Sequence, residues 1–556
     1  MFAGPTGTIL NSPPLVTSDK ARARYGLPAA ADGQGRRFDA LRAQRLAAPA
    51  TVYVTRFSAH PLEADATELY GPPDGYVDAA GRFHTEPRSP DDVPAYEIVL
   101  RPEDGLYLLP YMARRADGSA WDGAGTAPFA PLEGFRQTFY PDASRVFEEI
   151  DRFGLDETGR AGLLDELADF DFFRAAPSAG YRLGRSAATR TDRGDGDVAP
   201  ESLGEDYFPY LPWHLRRDPP ARALALLTNQ VQRTLDEGSY DGLIWMEGSP
   251  FLEETAYWLD LVVDTSRPMV GIASQRQHGA LGSDGDRNIL DAVRYIRSGI
   301  WSDSEGADTL GFVVIQEERI FTAREVQKAD ARPGGYVATG GHGGVIGTTG
   351  HPEPPEITFR PTRRHTAGSE VSLHRLPEEV VGACGDGGRV VRVPVRVKDD
   401  RGELLATAIP KVTVVKHARY LNDDGSLDPA GEVETLSRIE RNLRDFPLAG
   451  FVGEGAAPYG NLSKVVEAAL VRAVFSGMPV VLAGRGNVEG PVPPRPGSFF
   501  ITGSNLTSTK ARLLLMASLL RLGAIPPAAD PAAPTPAEIE AVRAAIARYQ
   551  AIFDTH

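Results

Sequence analysis

A chain of 556 residues is long enough for more than one domain, and a 42% hydrophobic content is enough to fill real cores. The formal charge of −16 repels phosphate backbones, which excludes nucleic acid as an expected partner. The single cysteine, Cys384, allows no internal disulfide and no cysteine-rich metal site.

In chain order, Arg37–Pro49 (RFDALRAQRLAAP) is helix-compatible and Thr51–Phe57 (TVYVTRF) reads as a strand. The texture changes from Glu68 to Glu205, which is rich in Pro, Gly, Asp and aromatics and has few periodic runs. Within it Glu97–Met112 is strand-like, Asp156–Phe173 is helix-like, and Thr189–Asp206 is an expected exposed loop. Regularity returns at Pro219. Pro219–Gly238 repeats apolar residues at helical spacing, and a short apolar run, Leu243–Met246, stops at Gly248-Ser249-Pro250 before another helical segment. A strand at Arg267–Ser274, a helix at Asp284–Gly299 and a strand at Leu310–Phe321 complete a βαβα alternation, the signature of a parallel sheet covered by helices.

Pro361–Glu403 alternates arginines and valines, which predicts a small β excursion. Strand, strand, helix and strand follow at Lys411–Leu421, Leu448–Gly455, Asn461–Gly477 and Met478–Gly486. Two helices, Thr507–Gly523 and Pro536–Phe553, close the chain, with Thr535 as the expected cap of the second. Met1–Val16 has neither a basic region nor a sustained apolar run, and Ala511–Ile525 carries arginines and is too short for a bilayer. A cytoplasmic protein without membrane contact is the expectation.

No metal or phosphate motif is complete. The histidines show no HExxH, and the nine-residue spacing of His342 and His351 is not diagnostic. Ser283–Asn288 (SDGDRN) lacks the glycine and the distal glutamate of a calcium loop and reads as a helix start. The glycine-rich Ala338–Gly350 is not followed by Gly-Lys-Ser/Thr. No metal and no cofactor are therefore expected. Ser249 suits an N-cap and Pro250 the first helical position, and the end of a parallel strand is also where α/β sheets bind ligands. Lys328 follows the Leu310–Phe321 strand. It reads as a solvated lysine or, if buried beside hydroxyls, as a proton carrier.

Taken together, Tyr240–Asp260 (YDGLIWMEGSPFLEETAYWLD) resembles the bacterial-type asparaginase/glutaminase family. That family's pattern is Tyr-Asp-Gly, a strand, His-Gly-Thr-Asp-Thr, then Met-Glu-Glu-Thr-Ala-Tyr. The likeness continues in order through Arg267–Ser274, Gly279–Val293, Gly311–Lys328 and Ser504–Leu520, with weaker similarity at Gly4–Ile9 and Arg56–Asp65. The resemblance implies two α/β domains, a larger N-terminal one with a parallel or mixed sheet and helices on both faces and a smaller C-terminal one. Their expected bounds are 1–67 with 206–375, and 409–556. Residues 68–205 are an insertion, a lid or a structural addition, and 376–408 a linker or β excursion.

It further implies an amide hydrolase that passes through an acyl-enzyme without metal or cofactor. Thr8 takes the nucleophile's place, Tyr25 the activating tyrosine's, and Ser58 that of the serine holding the substrate carboxylate. Ser249 replaces the second threonine, and Lys328 matches the lysine of the second triad. Glu247, where the family has histidine, and Gly248 are the remaining expected substrate contacts. The family aspartate that completes the triad and binds an α-ammonium is Pro250 here, and a proline binds no cation. A small-molecule amide, imide or lactam whose amine is absent, blocked or displaced is therefore expected rather than L-asparagine. The alternative is a non-hydrolytic binding or amidotransferase-partner protein on the same fold. The resemblance also implies a homodimer or homotetramer.

Overall fold

The computed structural model describes residues 2–3, 9–10, 42–45, 50–54, 72–78, 83–100, 106–109, 138–139, 171–174, 181–184, 220–275, 284–330, 332, 334–338, 344–350, 354–417, 429–456, 459–486, 492–493 and 497–556. They fall into two compact units, one of residues 1–174, 181–215 and 273–293, the other of 175–180, 216–272 and 294–556.

In the first unit the strand Ala50–Val54 pairs antiparallel with Val93–Leu100, which also pairs with Gly75–Val77. The strand-like reading of Thr51–Phe57 and Glu97–Met112 is met within these elements. Arg42–Arg45 is a strand, antiparallel to Leu106–Leu109, where the composition suggested a helix. Good helix formers yield there to ladder hydrogen bonds with an apolar partner strand. Asp171–Arg174, at the end of the helix-like stretch, is likewise a strand.

The second unit carries the regular α/β architecture. Helix α1 (Pro220–Asp236) buries Leu227, Val231 and Leu235 at the spacing of one helical face. Strand β1 (Leu243–Met246) leads into α2 (Ser249–Val262) and then β2 (Met269–Ile272), which runs parallel to β1 in the register Leu243↔Met269. Helix α3 (Gly285–Ser298), whose first residues belong to the first unit, precedes β3 (Phe312–Gln316), again parallel to β2. The helix start expected at Ser283–Asn288 is present: Asp284, just ahead of α3, accepts from Ser274 Oγ and the Gln275 N–H. Gly271 lets α2 close on the sheet, since a Cβ there would stand 2.8 Å from Phe312 and 3.0 Å from Leu252.

Leu310–Phe321 is not one strand. It folds into a hairpin of β3 and β4 (Arg319–Thr322) through Glu317 and Glu318, both at positive φ (47° and 64°). Two left-handed residues give the turn whose twist matches paired strands. A second hairpin joins β5 (Val326–Lys328) to β6 (Tyr336–Ala338). Strands β7 (Val345–Thr348) and β8 (Glu356–Ile357) extend the sheet beyond β4 with antiparallel pairing.

The β excursion is a long hairpin of β9 (Glu379–Asp386) and β10 (Arg389–Arg396), turned at Gly387 and Gly388. The last sheet is wholly parallel: β11 (Lys411–Lys416), β12 (Ala449–Gly455), β13 (Val480–Gly484) and β14 (Ile501–Thr502). Helices α4 (Val433–Asp445), α5 (Lys464–Phe475), α6 (Ser508–Leu522) and α7 (Pro536–Thr555) accompany it. Thr535 caps α7 as expected, in a reciprocal box with Glu538. The α/β class expected from the sequence is the class observed.

Candidate functional site at the start of helix α2

The end of β1 places the site. Trp245 and Glu247 lie two residues apart, on one face of the extended chain, and the Trp245 indole N–H donates to the Glu247 carboxyl at 2.9 Å. Both side chains are buried. Burial pushes the Glu247 carboxyl up to about 7, against the lowering effect of the hydrogen bonds from Trp245 and Thr255. Such a group is poorly suited to be a permanent anion for a substrate cation, because ionising it forfeits water that the Trp245 and Thr255 hydrogen bonds only partly replace.

The cap of α2 is Gly248, not Ser249 as the sequence suggested. Gly248 has extended backbone (φ −61°, ψ 135°), and its carbonyl accepts from the Phe251 and Leu252 N–H groups. Ser249 is the first helical residue and Pro250 the second. A proline is accommodated there because the first N–H groups of a helix have no intrahelical partner. Ser249 is half-buried at this helix mouth.

Lys328 lies in the same neighbourhood. Tyr336, across the β5–β6 hairpin, is buried and donates its hydroxyl to the Ser249 carbonyl oxygen at 2.8 Å. The Lys328 ammonium sits 4.9 Å from the centre of the Tyr336 ring and donates to the Arg332 carbonyl oxygen at 3.0 Å. One aromatic ring thus spans from the lysine to the backbone of Ser249, a cation–π contact on one side and a hydrogen bond on the other. The Lys328 N–H donates to the Glu253 carboxylate, one turn along α2 from Ser249.

Behind this surface lies a buried polar network. Lys510, in the first turn of α6, donates its ammonium protons to the carbonyl oxygens of Glu253 and Ala323 and lies over the Tyr257 ring. Burial lowers Lys510 to about 8, with Glu253 the largest opposing influence. Arg324 bonds Glu325, Asn505 and the His556 carbonyl oxygen. Glu254 pairs with Arg512.

Of the residues expected at a site, the structure brings Ser249, Gly248, Glu247 and Lys328 to one end of one sheet, with Ser249 and Lys328 joined through Tyr336. Thr8, Tyr25 and Ser58 lie outside the described residues, as do His342 and His351. Tyr336, Glu253 and Lys510 escaped sequence reasoning. Tyr336 comes from across the β5–β6 hairpin and Lys510 from helix α6, while Glu253 stands one turn along α2 itself; the contact that gives it a role is with Lys328, 75 residues away. Among the described residues no group of three or more His, Cys, Asp and Glu could hold a metal, and no helix is long and apolar enough to cross a membrane.

Residues 220–343 match the family model of the asparaginase N-terminal domain. The chain is 42% identical over 105 residues to an L-asparaginase of Bacillus licheniformis, covering 19% of this chain and 31% of that protein. It is 31% identical over 157 residues to a glutaminase-asparaginase of Acinetobacter glutaminasificans, 28% of this chain and 44% of the relative. A longer match, 26% over 304 residues, joins it to L-asparaginase 2 of Bacillus subtilis (strain 168), 54% of this chain and 66% of the relative. The chain thus spans from about a third to two thirds of the length of these relatives.

Proposed function

We propose that this chain, whose residues 220–343 match the asparaginase N-terminal model and which is similar to bacterial asparaginases, is a hydrolase of carbon–nitrogen amide bonds. The observation that carries the reading is the joining of Ser249 and Lys328 through Tyr336 at the carboxyl end of β1, where open α/β sheets bind their ligands. An amide is a poor electrophile, so hydrolysis needs an activated hydroxyl and a group that moves protons among nucleophile, leaving amine and water. Thr8 is the proposed nucleophile, forming the acyl-enzyme, with Tyr25 as its activator. Ser249 and Lys328 supply the second hydroxyl and the amine. Ser58, Gly248 and Glu247 line the substrate.

The proposed substrate is a small amide, imide or lactam without a free α-ammonium. Two features support this. Pro250 stands where the family has its cation-binding aspartate, and the Glu247 carboxyl is buried against Trp245 rather than presented as an anion. We extend the proposal to the domain bounds 1–67 with 206–375, and 409–556, with 68–205 inserted and 376–408 a linker, and to a cytoplasmic homodimer or homotetramer.

The test is a panel of amides, imides and lactams, L-asparagine among them, followed by ammonia or amine release in wild type and Thr8→Ala. The expected outcome is turnover of an ammonium-free substrate by wild type and a loss of about 10⁴-fold in the variant. Equal rates remove Thr8 from the mechanism. Tight binding of an amide without turnover favours the binding-protein alternative.

A further inference from the structure

The segment that carries Lys328 is tied at both ends to helices. In β5 the antiparallel ladder pairs Lys328 with Tyr336, yet the Lys328 N–H goes to the Glu253 carboxylate of α2 rather than to the facing strand. In such a ladder N–H groups alternate in direction, so one that points away from its partner strand needs an acceptor elsewhere. Glu253 provides it at 2.5 Å. At the other end of the segment the Ala323 carbonyl oxygen accepts from the buried Lys510 ammonium at 2.6 Å. That same ammonium bonds the backbone oxygen of Glu253.

From this geometry we infer that Glu253 and Lys510 form a clamp that sets the position of Lys328 relative to Ser249. The inference rests on the amide-hydrolase reading of those two residues. Neither clamp residue touches the reacting atoms; both are positioning residues. Lys510 holds α2 and the Ala323 end of the segment to one buried point, and Glu253 pulls the Lys328 end onto the turn of α2 that follows Ser249. The direction of the burial effects agrees. Removal from water raises the Glu253 carboxyl and lowers Lys510, and each is drawn back by the other's charge. A buried charge persists when its partners are fixed, and fixed partners are what a positioning device requires.

The experiment uses the full chain and compares Glu253→Ala, which removes the acceptor, with Glu253→Gln, whose amide oxygen can still accept from the Lys328 N–H. Residue-resolved hydrogen exchange of the Lys328 amide reads the clamp without reference to activity. The expected result is at least tenfold faster exchange in Glu253→Ala and wild-type protection in Glu253→Gln. On the substrate found by the amide panel, kcat falls at least tenfold in Glu253→Ala with KM within twofold, and Glu253→Gln restores it. Unfolding midpoints confirm that both variants are folded. Unchanged exchange in Glu253→Ala overturns the clamp. Faster exchange with unchanged kcat overturns its positioning role. Wild type that turns over no amide defeats the proposed function instead, and the exchange result then still decides whether the clamp exists.

Discussion

Strands β1–β3 and strands β11–β13 are both parallel, with helices between them, but the residues buried beside them differ. In the second unit the charged residues buried near the first sheet include Glu247, Asp260 and Arg324. Around the second sheet, among the described residues, the buried polar side chains are chiefly hydroxyls and amides, such as Thr435, Asn442, Ser476 and Ser518. Two buried groups of the later part of the chain, Lys510 and His556, bond toward the earlier part, at Glu253, Ala323, Arg324 and Glu370. A buried hydroxyl is satisfied cheaply within its own helix, as Ser518 is by the Leu514 carbonyl. Buried charge costs several kcal/mol per ion before its partners repay it. Its concentration on one side marks where the fold bears a cost that the packing of the other sheet does without.

The sharpest way to break this comparison is to remove one group from each side. Lys510→Ala leaves the Ala323 carbonyl without its ammonium donor and should cost about 3–5 kcal/mol, whereas Ser518→Ala should cost about 1 kcal/mol or less. Urea unfolding of the two variants measures both, and equal losses contradict the asymmetry. Next comes Lys328→Met, which should lower kcat about 10²–10³-fold on the substrate identified by the panel while leaving the unfolding midpoint near wild type.

Glu247 provides a pH test. Its folded value of about 7 lies above the ordinary 4.5, so the native state holds a proton that the unfolded chain has released. Its burial is therefore harmless below pH 4.5 and becomes destabilising as pH rises from there toward 7, reaching about 3 kcal/mol above it. Glu247→Gln keeps an acceptor for Trp245 and should be more stable than wild type at pH 8 by up to that amount, with the difference vanishing near pH 4. Denaturant melts at the two pH values check it, and a variant equally shifted at both refutes the assignment. The smallest effect compares two close approaches of backbone and helix. Gly271→Ala meets Phe312 at 2.8 Å and Leu252 at 3.0 Å, while Gly450→Ala meets the Pro479 carbonyl at 2.9 Å and Leu515 at 3.1 Å. Each should cost about 1–3 kcal/mol by overpacking, with Gly450→Ala the worse because a carbonyl oxygen yields less than side-chain ends.

The alternation that built both sheets was legible in the sequence because four- to six-residue apolar runs and 3.6-residue periodicity survive without any partner being known. The turn at Glu317-Glu318 was not, since it adopts left-handed backbone without the glycine or asparagine that announces it. Helix α4 went unread because little of it is apolar and inward, with Ile439 its buried aliphatic anchor. Arg42–Arg45 misled for the opposite reason: its composition favours helix and its pairing decides otherwise. At the site, Ser249 stood out by its place between a strand end and a helix start, Lys328 by its place after a strand, and family likeness gave each an expected role. Tyr336, Glu253 and Lys510 act through contacts between residues 75 to 257 positions apart, or across a hairpin whose existence had not been read.

The most direct test of the account is mass spectrometry of protein quenched during turnover of the panel substrate. The account predicts an acyl adduct on the peptide that bears Thr8, formed by wild type and cleared more slowly in Lys328→Met. Turnover with the adduct on another residue, or Lys328→Met clearing it as fast as wild type, would contradict it.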